Sequence, residues 1–248
     1  MATLIGRCLS VVLALPLISA CGPPSPAPAS KPPAALSHTQ TSSQLRSGQY
    51  QELDRRFSAS QAQFENGTIS GDDLRAQFRD FYATDPDLAT KLDGWVAQYP
   101  HSYAARVARG IYYKKVGFEA RGTAYIRDTS QTQIDNMNAA FEKAVADLRG
   151  SLVMNPKPFL SYFHLLDIGN AVGAKEDLRA IYDRASSLDP SSYAIRLKYM
   201  NTLQTRWGGS LEEMQNFYAE CQRAGLNDAQ TTELKGLLAE ERAWLAQR

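Results

Sequence analysis

The sequence predicts an all-α protein of stacked antiparallel helical hairpins, an α-solenoid of about ten helices, on three observations. From about Gln44 onward no stretch alternates apolar and polar residues with a period of two, whereas apolar residues recur every three or four. The helix-ending pairs "YP", "NP" and "DP" close on Pro100, Pro156 and Pro190, and the last two prolines stand 34 residues apart, the length of one two-helix repeat. Ser, Asp and Asn stand where such helices would start. With 248 residues, 44% of them apolar, the chain can bury a sizeable core in one or two domains.

The first element is a targeting segment. Arg7 precedes an apolar stretch over residues 8–18, shorter than the ~20 residues a spanning helix needs, and small residues follow at Ser19 and Ala20. Residues 1–20 therefore read as a secretory signal rather than a transmembrane helix. The string "LISACG" resembles the lipobox of bacterial lipoproteins. That resemblance implies acylation of Cys21, which becomes the mature N-terminus and a membrane partner in its own right. Three acyl chains, at ~0.8 kcal/mol per buried CH₂, would hold the protein on a bilayer essentially permanently. Gly22 stands where enteric-type lipoproteins retained in the inner membrane carry Asp, so the resemblance implies the outer membrane, with the body facing the periplasm.

Cys8 leaves with the signal and Cys21 is taken by lipid, so Cys221 is the one remaining thiol and no intramolecular disulfide can form. It shares a helix face with Leu211, Met214 and Phe217, which predicts a core thiol. Residues 21–43 form a proline-rich linker; residues 22–42 hold six of the twelve prolines and almost no large apolar side chain. In polyproline II geometry, ~3.1 Å per residue, they would hold the body up to ~60 Å from the lipid.

The helical domain is expected over residues 44–248. Ser70 ahead of Asp73, Asp85 with Pro86, and Asn227 with Gln230 have the chemistry of helix N-termini. In residues 175–188, Leu178, Ile181, Tyr182, Ala185 and Leu188 line one face; in 191–207, Tyr193, Leu197, Met200, Leu203 and Trp207 do. Taking Pro190 as a closing proline puts Tyr162, Leu165, Tyr182 and Ala185 where a tetratricopeptide repeat wants aromatic, Leu, aromatic and Ala, although Gly169 and Leu178 do not fit. Pro100 and Pro156 stand 56 residues apart, well over one period, and the surplus falls around "GFEARGTAYIRDTSQTQID". Stacked hairpins of this kind leave a concave surface that commonly binds peptides or proteins.

"RWGGS", residues 206–210, reads mainly as a joint. Trp207 ends an apolar stripe and is expected to pack on the next hairpin. Gly208 and Gly209 let the chain leave with positive φ, and Ser210 with Glu213 makes a capping box. "TRWGGSLEEM", "FEARGTAY" some 85 residues earlier, and the "NP" and "DP" boundaries between them together resemble the bacterial family labelled domain of unknown function 4034, over roughly residues 51–225. The family's usual "AW-aRG" and "PRWGGS" stand here as "GFEARG" and "TRWGGS". The resemblance implies a helical, tetratricopeptide-like body and assigns no activity. Arg121 and Arg206 keep two readings: guanidinium groups that bond carbonyls at a helix end or an acid such as Glu119, or an anion site for a carboxylate or phosphate on a partner.

Chemistry for turnover is hard to find. There is no phosphate-cradling glycine loop, no nucleophile elbow and no Cys or His cluster spaced for zinc, so no catalytic residue, cofactor or metal is expected. The histidines are His38 in the linker, His101 just after Pro100, and His164 in an aromatic-rich helix. Acids such as Asp128 and Asp135 could still meet in a hydrolase cleft. "NGT" at 66–68 reads as a turn. Tyr112, Tyr113, Phe118 and Tyr125 interleave with Lys114, Lys115, Arg121 and Arg127, a pattern that suits an anionic glycan. Half those rings fall at helical spacing and would serve the core, with the lysines on a solvated face. Once Arg7 is removed, 26 basic residues balance 26 acidic ones, which excludes nucleic acid as an expected partner.

The function expected is therefore that of a lipid-anchored periplasmic interaction protein, a scaffold for an envelope protein or peptide and not an enzyme. Arg121, Arg206, Tyr112 and Tyr113 are its candidate contact residues. The alternatives are a cell-wall hydrolase, or a binder of an anionic glycan through residues 112–127.

Overall fold

Local capping chemistry sets most of the helix starts. The side chains of Ser70, Ser102, Ser130, Ser192, Ser210 and Asn227 each accept a hydrogen bond from the backbone N–H three residues on, satisfying a donor the helix leaves unpaired. Ser70 with Asp73, Ser130 with Gln133 and Asn227 with Gln230 complete reciprocal capping boxes. At Ser210 the reciprocal half is replaced, because the Glu213 carboxylate accepts from the serine hydroxyl at 2.9 Å. Pro86 sits at the cap before Asp87 and offers no side-chain bond, so Asp85 contributes its carbonyl instead, which accepts from Leu88 N–H.

A computed structural model describes residues 38–123 and 128–247. Among them are eleven α-helices and no strand: α1 His38–Arg46, α2 Tyr50–Glu65, α3 Gly71–Gln77, α4 Asp87–Gln98, α5 Tyr103–Arg121, α6 Gln131–Ser151, α7 Phe159–Ala171, α8 Lys175–Leu188, α9 Tyr193–Thr202, α10 Leu211–Arg223 and α11 Asp228–Ala246. Single 3₁₀ turns lie at Phe78–Phe81 and Thr205–Trp207. No described helix is long and apolar enough to cross a membrane. α1 begins at His38, inside the stretch expected to be linker, because Thr41 and Leu45 give it a buried side against the helices that follow.

Neighbouring helices pack in pairs: α5 with α6, α7 with α8, α10 with α11. The α5–α6 pair is set closely. A Cβ on Gly117 would fall 2.5 Å from the Phe141 ring, so glycine is what lets α6 approach here. The surplus residues between Pro100 and Pro156 lengthen this pair to 19 and 21 residues. α5 and α7, the first helices of their pairs, and α9 touch one another in a row.

The main core runs from Leu45 to Leu238, with Phe57, Phe78, Phe81 and Trp95 clustered at ring separations of 4.7–6.0 Å. A smaller cluster of Met137, Phe141, Ala144, Leu148, Leu165 and Ile168 fills the α5–α6–α7 junction. Cys221 is 1% exposed beside Met214 and Phe217, as its spacing predicts, and burial pushes its thiol up to about 11.

The N-terminal helices are tied to the row. The Asp72 carboxylate caps α9, accepting from the Ser192 hydroxyl at 2.6 Å, Tyr193 N at 3.1 Å and Ala194 N at 3.2 Å. Asp189 in turn accepts from Gly71 N at 2.6 Å, and Gln61 donates to Asn155 at 2.9 Å. α3 packs on α7, and the Phe78–Phe81 turn on α5.

Two expectations about α9 and its exit are corrected. The helix ends at Thr202, and its buried positions are Ile195, Arg196, Tyr199, Met200 and Thr202, because neighbours α7, α8, α10 and α11 cover more than one face. Tyr193, Leu197 and Leu203 are only partly buried, and Trp207 is 40% exposed rather than packed on the next hairpin. Of the glycine pair, only Gly208 has positive φ, at 80°. Gly209 is needed for space: a Cβ there would lie 2.1 Å from the Leu203 carbonyl oxygen.

Candidate binding cleft

Of the four candidate contact residues, Arg121 lines the cleft. Tyr112 is 3% exposed, and its hydroxyl donates to the Asp85 carbonyl at 3.0 Å. Tyr113 is half-buried, edge-on to Tyr112 at 5.3 Å and beneath the Lys143 ammonium at 5.0 Å. Tyr112 is taken up by packing, and Tyr113 partly so. Arg206 is exposed and donates from Nε to Gln204 Oε1 at 2.9 Å. Arg121, at the end of α5, donates to the Gly122 carbonyl at 3.3 Å and also lines a cleft. Cys21, Tyr125 and Arg127 lie outside the described residues.

That cleft, of about 170 Å³, is lined by Phe118 and Arg121 of α5, by Asp167, Asn170 and Ala171 of α7, and by Trp207. It joins the "FEARG" motif at the end of α5 to the "RWGG" turn after α9. Phe118 is set by its edge contact with Phe141, at 5.1 Å. Trp207 is set by its turn: Gln204, 2% exposed, adopts extended backbone and stops α9, while the Glu241 carboxylate of α11 accepts from Thr205 N at 2.9 Å. An exposed indole and a guanidinium thus face one opening across 86 positions of chain, from Arg121 to Trp207.

Behind Asp167 lies a charged cluster that crosses the row of first helices. Its two oxygens accept from Lys114 of α5 and Lys198 of α9, each at 2.5 Å. Lys114 also donates to His164 Nδ1 at 3.0 Å, which places the ring hydrogen on Nε2, an atom that finds no partner among the described residues. The Tyr82 ring lies 5.0 Å from the Lys114 ammonium, and the Phe163 ring 4.4 Å from Lys198 and 5.5 Å from the Arg75 guanidinium. Burial alone would raise the Asp167 carboxyl, but the two ammonium groups outweigh it and hold the group well below the usual carboxylate range. Burial, then the Lys114 charge, keeps His164 neutral well below its ordinary value. Burial and the Asp167 charge raise the Tyr82 hydroxyl. Three cations against one carboxylate leave the inner wall net positive, and Asp167 has both oxygens engaged.

Lys114, expected on a solvated face, is 3% exposed. The signal that could have found the cluster is Asp167 itself, an acid inside the apolar string "FLSYFHLLDIGNA", since a carboxylate on an otherwise buried helix requires cations from elsewhere.

Fold and site together define an all-α protein of paired helices with an aromatic–guanidinium cleft at the ends of its inner row. The chain belongs to the family described as domain of unknown function (DUF4034), which matches residues 38–187. The matched region runs from α1 into the last turn of α8, so the "RWGGS" turn lies beyond it. No curated protein and no solved structure matches the chain.

Proposed function

We propose that this is a lipid-anchored interaction protein of the bacterial envelope, a non-enzymatic scaffold that holds a protein or peptide segment in the cleft between α5, α7 and Trp207. The observation that carries the reading is Trp207, a large aromatic left 40% exposed beside Arg121 when most of the other rings are in the core. Exposed aromatic and arginine side chains together are the usual anchors of protein recognition. The repeat-like spacing agrees with it, since Leu165, Tyr182 and Ala185 are buried where a tetratricopeptide-like unit needs them. Because α3 and the Phe78–Phe81 turn lie against the inner row, the docking surface is the open end of that row rather than its whole length. The lipobox-like "LISAC" supplies the anchor at Cys21, with the outer membrane as its site, and the proline-rich stretch the reach.

Crosslinking in intact envelopes, followed by purification of the chain, tests the reading. A protein partner is expected with the wild type and is expected to fall away with Trp207→Ala while circular dichroism is unchanged. Recovery of no partner above background overturns it. Metabolic labelling with an alkyne fatty acid, lost in Cys21→Ser, tests the anchor separately.

A further inference from the structure

A second opening, of about 400 Å³, is floored by α7 and walled by α6 and α8. Its surface is mostly apolar, with Val145 from α6, Leu152 just after it, Leu165 and Ile168 from α7, and Ile181 from α8. The smaller core cluster lies beneath it, and the half-buried Val145, Leu152 and Ile181 border the opening. At one end stand Arg149 of α6 and Arg184 of α8, both exposed. α7 returns between these helices, so α6 and α8 run the same way, and both guanidiniums sit within the last two turns, at the same end of the groove. Arg46, Arg55, Arg109 and Arg179 each hold a carboxylate, but among the described residues neither Arg149 nor Arg184 does. Asp177 lies towards the other end, near the exposed Val172, and would repel an anion there.

Charge and polarity narrow the occupant: two exposed guanidiniums beside a mostly apolar wall suit an anion that carries an apolar tail. The chain's own residues 21–37 contain one lysine and no acid, so they do not complement two arginines.

We propose that this groove binds a long-chain carboxylate: the acyl chain lies along α7 and the head group meets Arg149 and Arg184. Two guanidiniums converging on one carboxylate give charge-assisted, directional bonds, and each methylene taken out of water on the apolar floor adds to binding. The assignment is independent of what the Trp207 cleft holds.

The test uses the full chain in phosphatidylcholine nanodiscs, irradiated with diazirine-bearing myristate, with labelled peptides mapped by mass spectrometry. Label is expected in residues 145–152 and 162–181, competed by myristate and poorly by myristyl alcohol. Arg149→Ala with Arg184→Ala should lower labelling roughly tenfold and erase the preference for the acid over the alcohol. Ala180→Trp, which fills the groove from an exposed position, should lower it similarly with the arginines intact. Label elsewhere, labelling unchanged by either variant, equal competition by acid and alcohol in the wild type, or displacement only by an acidic amphipathic peptide would each overturn the proposal.

Discussion

At the scale of single residues, the cluster around Asp167 is asymmetric, and the asymmetry is measurable. Removing Asp167 leaves Lys114, 3% exposed, and Lys198 as uncompensated charges, whereas removing Lys114 leaves Asp167 still paired with Lys198. Asp167→Leu should therefore cost about 3 kcal/mol in urea unfolding and Lys114→Met distinctly less. Equal losses would mean that the three groups do not share one network. His164 adds a pH dependence whose sign is fixed. It stays neutral in the fold while its unfolded counterpart takes a proton near pH 6.5, so stability falls as pH drops below that value, by up to ~1.4 kcal/mol per unit. Lys114, Lys198, Arg75 and Asp167 are the charged groups that face the ring. Asp167, with its folded value depressed, contributes stability that is lost only below its ordinary 3.8, so the two losses separate along the pH axis. The urea midpoint should fall between pH 7 and pH 5, and His164→Gln, which retains an acceptor for Lys114, should flatten that fall. The sequence could show that His164 lies among aromatics; it could not show which cation would reach it from 50 residues away.

At the scale of elements, what could be read from sequence was what local chemistry decides. The boxes at Ser70–Asp73 and Asn227–Gln230 need only four residues each, and both form. α8 buries Leu178, Tyr182 and Ala185 of its predicted face and half-buries Ile181 and Leu188; α9 departs further, because four helices surround it and its burial follows neighbours rather than its own periodicity. Nothing in residues near α9 shows that its N-terminus is completed by Asp72, some 120 positions earlier. That carboxylate takes two backbone N–H donors and lies at the positive end of the helix, so Asp72→Ala should cost about 1–2 kcal/mol, at the upper end of a cap deletion. Hydrogen exchange should rise both at the start of α9 and in α3, which the same contact holds. A rise confined to α9 would show that α3 is held by its packing on α7 alone.

At the scale of the whole chain, the 34-residue period revealed the α7–α8 pair and the row it belongs to, but not that the N-terminal helices lie against that row. A period reports neighbours along a stack, whereas Gln61, Gly71 and Asp72 meet partners roughly 90 to 120 positions away, which no local pattern encodes. The distinction has a thermodynamic consequence. A simple array touches only nearest neighbours, so its ends can unravel independently of its middle. Here α2 and α3 bridge the α6–α7 connection, the α8–α9 turn and the start of α9, so opening the last pairs also strips the first helices of their partners. The full chain is expected to unfold in urea as one transition, with tryptophan fluorescence and circular dichroism coincident. Deleting residues 38–82 should leave Phe159, Phe163 and the Lys114–Asp167 pair without cover, lower the midpoint and the slope together, and admit a hydrophobic dye. An unchanged midpoint after that deletion would mean that the paired helices stand without their N-terminal brace, and the stability of the inner row would then have to come from α5 to α11 alone.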